Sequence, residues 1–410
     1  MAFIIFWLII FIIVFDFLSD QFLAYLNNTY RSKPLPEMAK GIYDALEYER
    51  SQNYEKDTSR FGFVSALFST LLLLVFIFAG GFPFLDNFVR SFTNHPVIMA
   101  LMFFGILGFA SSLIGIPFSW YRTFVIEERY GFNKTTYKTF LTDILKSWLL
   151  SLLIGVPLLA FVVWIFDDVS AYMWLWAWLG ISLFMLGFNY LYSTLIVPLF
   201  NKQTPLEEGP LKESIEEFAL KTGFKLSGIF VIDGSKRSSK ANAYFAGFGS
   251  KKRIVLFDTL INKLNNDEIV AVLAHEIGHY KKKHIIKNII LSVISLGLML
   301  FLLSSFIRYP AFSYALGVQE ASFHVGAVSF SIIYGFISSF FGIFLNKYSR
   351  YNEYEADAYA VKHTSKASLE TALVKLARAN LSNLQPHPWY VFVYYSHPPL
   401  LKRIAHIRSL

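Results

Sequence analysis

A chain of 410 residues with 55% hydrophobic residues, 43 phenylalanines and only 16% charged residues has a mean hydropathy of +0.45, which excludes an ordinary water-soluble globule. The formal charge of +8 would suit nucleic acid, but in so apolar a chain the basic residues are first expected to sort to one side of a membrane. The absence of cysteine excludes disulfides and thiolate metal sites, so a transition metal has to be held by histidine and carboxylate.

Seven apolar stretches reach the roughly 17 to 25 residues that a helix needs to cross a hydrocarbon core. They fall near 2–18, 62–85, 97–121, 147–166, 169–200, 285–308 and 326–346. The first opens MAFIIFWLII with no basic leader and no small-residue cleavage site, so it reads as a retained span, with Asp16 tolerated near an interface. The fifth is too long for one simple crossing and is expected to tilt or to project into the cytoplasm.

Lysine and arginine alternate along the connecting segments. Segments 19–61, 122–146, 201–284 and 347–410 carry 6, 5, 14 and 9 of them. Segments 86–96 and 167–168 carry 1 and 0, and the link between the sixth and seventh spans has only Arg308 at its edge. By the positive-inside rule the N-terminus lies outside and the C-terminus in the cytoplasm. The basic excess is accounted for by topology, and nucleic acid is not needed as a partner.

Four regions follow. Residues 1–200 hold five spans, 201–284 a first polar region, 285–346 two more spans, and 347–410 a second polar region. The two polar regions face the cytoplasm and supply a small α+β domain on an otherwise mainly α membrane protein. SGIFVID (227–233) and KRIVLFD (252–258) read as short strands; GSKRSSKANAYFAGFGSKK between them reads as a turn, an edge strand and a second turn. Asn266, Asp267 and Glu268 are expected to cap a helix that carries AHEIGHY (274–280).

On that helix His275 and His279 lie one turn apart on one face, so both imidazoles can reach a single ion, and Glu276 sits beside them as a candidate general base. Catalytic zinc takes a third protein ligand and leaves a position open for water. SRYNEYEADAYA (349–360) offers Glu353, Glu355 and Asp357 just beyond the seventh span. The sixth and seventh spans should run antiparallel. From His279 to the outer end of the sixth is roughly 44 Å of helix, and from Gly326 back to Glu353 roughly 40 Å. Helices continuing past the membrane surface would therefore bring an acid level with the histidine pair; Glu353 and Asp357 share a face, so one can bind metal while the other orients a ligand histidine, with Glu355 as the alternative ligand. His397 and Arg403, in SHPPLLKRIAHI (396–407), taken alone read as surface residues, and His284 with Lys281 to Lys283 as interfacial anchors.

FVIEERYGFNKTTYKTFLTDILK (124–146), IVPLFNKQTPLEEG (196–209), GSKRSSKANAYFAGF (234–248), RIVLFDTL (253–260), HEIGHYKKKH, SRYNEYEADAYA and YSHPPLLKRI occur in this order, and the set closely resembles the multi-pass zinc CAAX prenyl endopeptidases. The resemblance implies a gluzincin, with seven helices around a water-filled chamber closed by a zincin-like metallopeptidase domain on the cytoplasmic side. It implies one Zn2+ per chain held by His275, His279 and Glu353, with Glu276 as base and Asp357 behind a ligand. Asn242, Ala243 and Tyr244 would then lie on an edge strand that pairs with substrate backbone. His397 and Arg403 would stabilise the oxyanion or position substrate. The implied partners are a peptide or lipidated-peptide substrate and membrane lipid, in either a bacterial cytoplasmic membrane or the endoplasmic reticulum membrane. Two other readings compete. A channel or transporter with a structural zinc would place ionisable residues inside several spans, where this chain has few, mainly Lys287. An intramembrane metalloprotease would bury the histidine pair in an apolar span, whereas Lys281 to Lys283 hold this pair at the surface.

Overall fold

A bilayer offers no water to backbone amides, so apolar segments satisfy them internally as helices. The computed structural model of the chain describes residues 1–33, 35, 37–167, 172–224, 226–246 and 253–410. It opens with α1 (Ala2–Thr29), α2 (Ala45–Phe78), the short α3 (Gly81–Arg90), α4 (Pro96–Glu127), α5 (Tyr137–Asp167) and α6 (Met173–Phe200). The polar region that follows contains β1 (Gln203–Pro205), α7 (Pro210–Lys221), β2 (Gly228–Ile232), β3 (Ala243–Ala246), β4 (Arg253–Phe257) and α8 (Asn266–Lys281). Two long helices, α9 (His284–Ile307) and α10 (Phe323–His363), precede α11 (Lys366–Ala379), α12 (Pro388–Tyr394) and α13 (Leu400–Ser409).

Seven of these helices, α1, α2, α4, α5, α6, α9 and α10, are long and apolar enough to cross a membrane, so the chain is a multi-pass membrane protein. The expected second span differs in extent. The helix starts at Ala45, where Asp44 and Glu47 form a capping box, and stops at Phe78; after the left-handed Gly80 (φ 72) a separate helix takes over. The fifth runs Met173–Phe200, and positions 169–171 of its expectation lie outside the described residues, as do 247–252 of the second turn. Only 6 to 22% of each apolar window is buried within the protein, most of it where the spans meet in two apolar clusters, one around Ile9, Phe103 and Val325 and one around Ala177, Leu300 and Phe330. The Trp148 indole N–H donates to Ser112 Oγ (2.8 Å) across α5 and α4, and that of Trp178 to the Val293 carbonyl (2.8 Å) across α6 and α9. On the side away from the polar regions, His324 at the start of α10 bonds Asp86 of α3 (2.6 Å), and Arg90 bonds the other Asp86 oxygen (2.8 Å).

The polar regions assemble one domain. Its sheet has the order β1-β2-β4-β3, with β2 and β4 parallel and the other pairs antiparallel, which leaves β3 at an edge. Both faces of α8 are covered: Ile269, Val272 and Leu273 join Ile254, Leu256 and Leu260 beneath the sheet, while Ala271, Ala274 and Ile277 pack with Ala360, Leu369 and Ile407. A helix buried all round in this way is fixed in position, as a site requires. The segment leading into β3 is clamped to α5 and to the loop between α4 and α5. Arg237 makes a two-pronged ion pair with Asp143 (2.7 and 2.8 Å), and the Ser239 amide donates to the Phe132 carbonyl (3.0 Å).

Candidate metal centre and active site

The register of α8 is set at its start. Asn265, one residue before the expected cap, accepts from the Glu268 amide (2.9 Å), and Glu268 Oε2 accepts from the Asn265 amide (2.9 Å), a reciprocal capping box. Glu268 also pairs with Lys375 of α11 (2.7 Å). About three turns after Glu268, Gly278 lies against α10: a methyl group there would stand 3.1 Å from the Ala356 Cα and carbonyl oxygen and from Tyr359 Cβ. The missing side chain lets the two helices cross closely enough for short side chains to meet.

At that crossing His275 Nε2 and His279 Nε2 are 3.1 Å apart. Glu353 Oε2 lies 3.4 Å from the former and Oε1 3.3 Å from the latter. One ligand atom from each of the three residues falls within 4.8 Å of the others, so this set could hold a metal ion. Its donor chemistry fits a cation. His275 Nδ1 is 2.8 Å from Asp357 Oδ1, an acceptor, so the ring proton belongs on Nδ1 and Nε2 presents a lone pair inward. Glu353 Oε2 is buried there without a hydrogen-bond donor. Lone pairs crowded in a buried site call for positive charge between them.

The surroundings sort by contact. Asp357 is fully buried and receives Arg403 in a two-pronged pair, Nε to Oδ2 at 2.9 Å and Nη2 to Oδ1 at 2.6 Å; Arg403 Nη1 lies 3.5 Å from Glu353. His397 is mostly exposed at the mouth, its Nδ1 2.9 Å from Glu353 Oε1. The Glu276 carboxylate is half-buried and makes no hydrogen bond or ion pair among the described residues, the condition of a group free to handle a proton. Asn242 is exposed, its Oδ1 accepting from the Ala243 amide (2.9 Å), and Ala243 and Tyr244 pair with Leu256 and Val255 of β4. Among the described residues no strand pairs with their other side, and β3 packs against α8.

Two expectations are corrected. Glu355, the alternative ligand, is not at the metal set; its Oε2 is 3.1 Å from His284 Nε2, and Oε1 is 3.7 Å from Lys282. His284 is no interfacial anchor. It is 1% exposed, with Nδ1 3.0 Å from His279 Nδ1. The helix does not continue unbroken from α8 into the sixth span, because Lys283 takes a left-handed conformation (φ 60) between them. The histidine five residues past the motif was the available signal, hidden by the assumption of a continuous helix.

Residues 24–202 match the family described as CAAX prenyl protease N-terminal, five membrane helices, and residues 205–410 match Peptidase family M48. The chain is 38% identical to CAAX prenyl protease 1 of Saccharomyces cerevisiae, covering 95% of this chain and 92% of that protein. It is 33% identical to CAAX prenyl protease 1 homolog of Homo sapiens, covering 92% and 88%. The crystal structure of S. mikatae Ste24p superposes with a TM-score of 0.93 at 35% identity, over 98% of this chain and 99% of that one. Sequence, fold and a buried His-His-Glu set at the edge of a seven-helix membrane region together establish that this chain belongs to peptidase family M48, as a membrane-embedded metalloendopeptidase of the CAAX prenyl protease kind.

Proposed function

We propose that the chain hydrolyses a peptide bond near the C-terminus of prenylated CAAX-type or other membrane-associated peptides, using one zinc ion held by His275, His279 and Glu353. The observation that carries this reading is the convergence of those three side chains, with Glu276 next to His275 on the same helix. When bound, zinc polarises the scissile carbonyl and lowers the pKa of water. Glu276 takes the proton of the attacking water and hands it to the departing amine. Asp357 holds His275 by its Nδ1 proton, and Arg403 keeps Asp357 charged and in place. His397, at the open side, is the donor positioned for the charge that develops on the carbonyl oxygen. The β3 edge at Asn242, Ala243 and Tyr244 pairs with the extended substrate backbone.

Alternation of basic segments puts the N-terminus outside and this site at the cytosolic surface, where lipidated C-termini are presented. The loosely packed helices, with little of each span buried, suit a ring around an interior space wide enough for a peptide. Purified protein should cleave a prenylated CAAX-type peptide, stop on chelation and recover with zinc. Glu276→Gln should retain metal without turnover, and Glu353→Ala should lose the metal. Turnover surviving in Glu276→Gln, or zinc retained by Glu353→Ala, would overturn the reading.

A further inference from the structure

The two imidazoles of the metal set are held from behind in different ways. Behind His275 stands a carboxylate, Asp357. Behind His279 stands a second imidazole: His279 Nδ1 is 3.0 Å from His284 Nδ1, and His284 Nε2 is 3.1 Å from Glu355 Oε2. Proton placement along this row follows from its last member. A carboxylate accepts, and the other Glu355 oxygen faces Lys282 Nζ at 3.7 Å. His284 therefore donates from Nε2 and, as a neutral ring, accepts at Nδ1. The proton between the two Nδ1 atoms then belongs to His279, and its Nε2 is left with a lone pair directed at His275 and Glu353.

From these contacts we propose that His284 and Glu355 are positioning residues that lock His279 in its metal-binding tautomer and ring orientation, the counterpart for the second imidazole of what Asp357 does for the first. The backbone supports the assignment. In an unbroken helix a residue five positions on is turned by roughly 140°, facing away from His279. The break at Lys282 and Lys283 brings His284 back, and it requires a left-handed lysine (φ 60), a conformation that is strained for a non-glycine residue. His284, 1% exposed at the first position of α9, has both ring nitrogens engaged in this row.

The inference rests on the metal reading above and is tested by zinc affinity, measured on purified full-length protein by competition with a chromophoric chelator. His284→Ala and Glu355→Ala are expected to weaken zinc binding roughly 10- to 100-fold each, the range for outer partners of ligand histidines. The double variant should be no weaker than His284→Ala, because the two act in series. Glu355→Gln, whose amide oxygen still accepts from His284 Nε2, should recover most of the affinity lost in Glu355→Ala. Glu355 is partly exposed, so its variants keep the fold, and the melting temperature of the metal-free protein should not change for either. Wild-type zinc affinity in both alanine variants, or lower affinity that tracks a lower metal-free melting temperature and is not rescued by glutamine, would overturn the proposal. Zinc retained by Glu353→Ala would instead overturn the metal reading itself.

Discussion

Gly115 in the membrane helix α4 and Gly278 in the catalytic helix α8 are the same residue under opposite constraints. A methyl group at Gly115 would find no atom within 4 Å, whereas at Gly278 it would meet the backbone of α10 at 3.1 Å. The contrast extends to the regions around them. The spans pack around two apolar clusters and leave most of their length uncovered by protein, while α8 is enclosed by sheet, α10 and α11. A bilayer needs only apolar surface of sufficient length from a helix, so the membrane half tolerates loose contacts. Hydrolysis needs atoms placed within tenths of an ångström, so the catalytic half cannot.

The largest effect should come from a change that leaves packing untouched. Glu276→Gln should lower turnover by about a hundred- to ten-thousand-fold, while metal content and melting temperature stay at wild-type values. A fall in melting temperature of the same variant would assign Glu276 to packing and blur the contrast. Next, Gly278→Ala should cost about 1–3 kcal/mol and reduce metal retention by forcing α8 off α10. Its partner experiment, Gly115→Ala, should be neutral or stabilising by up to about 1 kcal/mol, since the added methyl meets open space and alanine favours helix. Equal melting shifts for the pair would break the comparison.

A third test uses pH on chelator-treated protein. In the metal-free protein burial pulls the pKa of His275 down and Arg403 adds to this, but the neighbouring carboxylates of Asp357 and Glu353 prevail and push it up to about 9 from an ordinary 6.5. A raised imidazole pKa stabilises the fold fully below pH 6.5, and this contribution is lost as pH rises toward 9. The metal-free melting temperature should therefore drop across that window, and a metal-loaded sample should not follow it; parallel curves would remove His275 as the source. The smallest effect is expected among the spans. Trp148→Phe deletes the bond to Ser112 and should cost about 0.6 kcal/mol, with turnover unchanged.

Much of this was legible in the chain because the relevant physics is local. Each span announces itself by apolar length, and AHEIGHY by four-residue spacing on one helix face. The acid that meets the histidines, Glu353, was found by rise per residue along two antiparallel rods. What escaped depended on interruptions and long-range pairing. Hydropathy measures affinity for lipid and not helicity, so the polar first half of α2 from Ala45 went unread. The two-pronged pair of Arg403 with Asp357 joins residues 46 apart, which no periodicity encodes. His284 was assigned to the wrong surroundings because a left-handed lysine is not signalled by composition; lysine is an unusual occupant of that conformation.

The uninterrupted course of α10 has a mechanical consequence. Its 41 residues, roughly 61 Å of helix with no proline, run from the buried Asp86–His324 contact at the far side of the protein to Glu353 and Asp357. Any lean imposed on this strut by a thicker or thinner lipid environment is delivered undamped to the carboxylates. The imidazoles of α8 receive the same lean through the close crossing at Gly278, while the kink at Lys283 separates them from the sixth span.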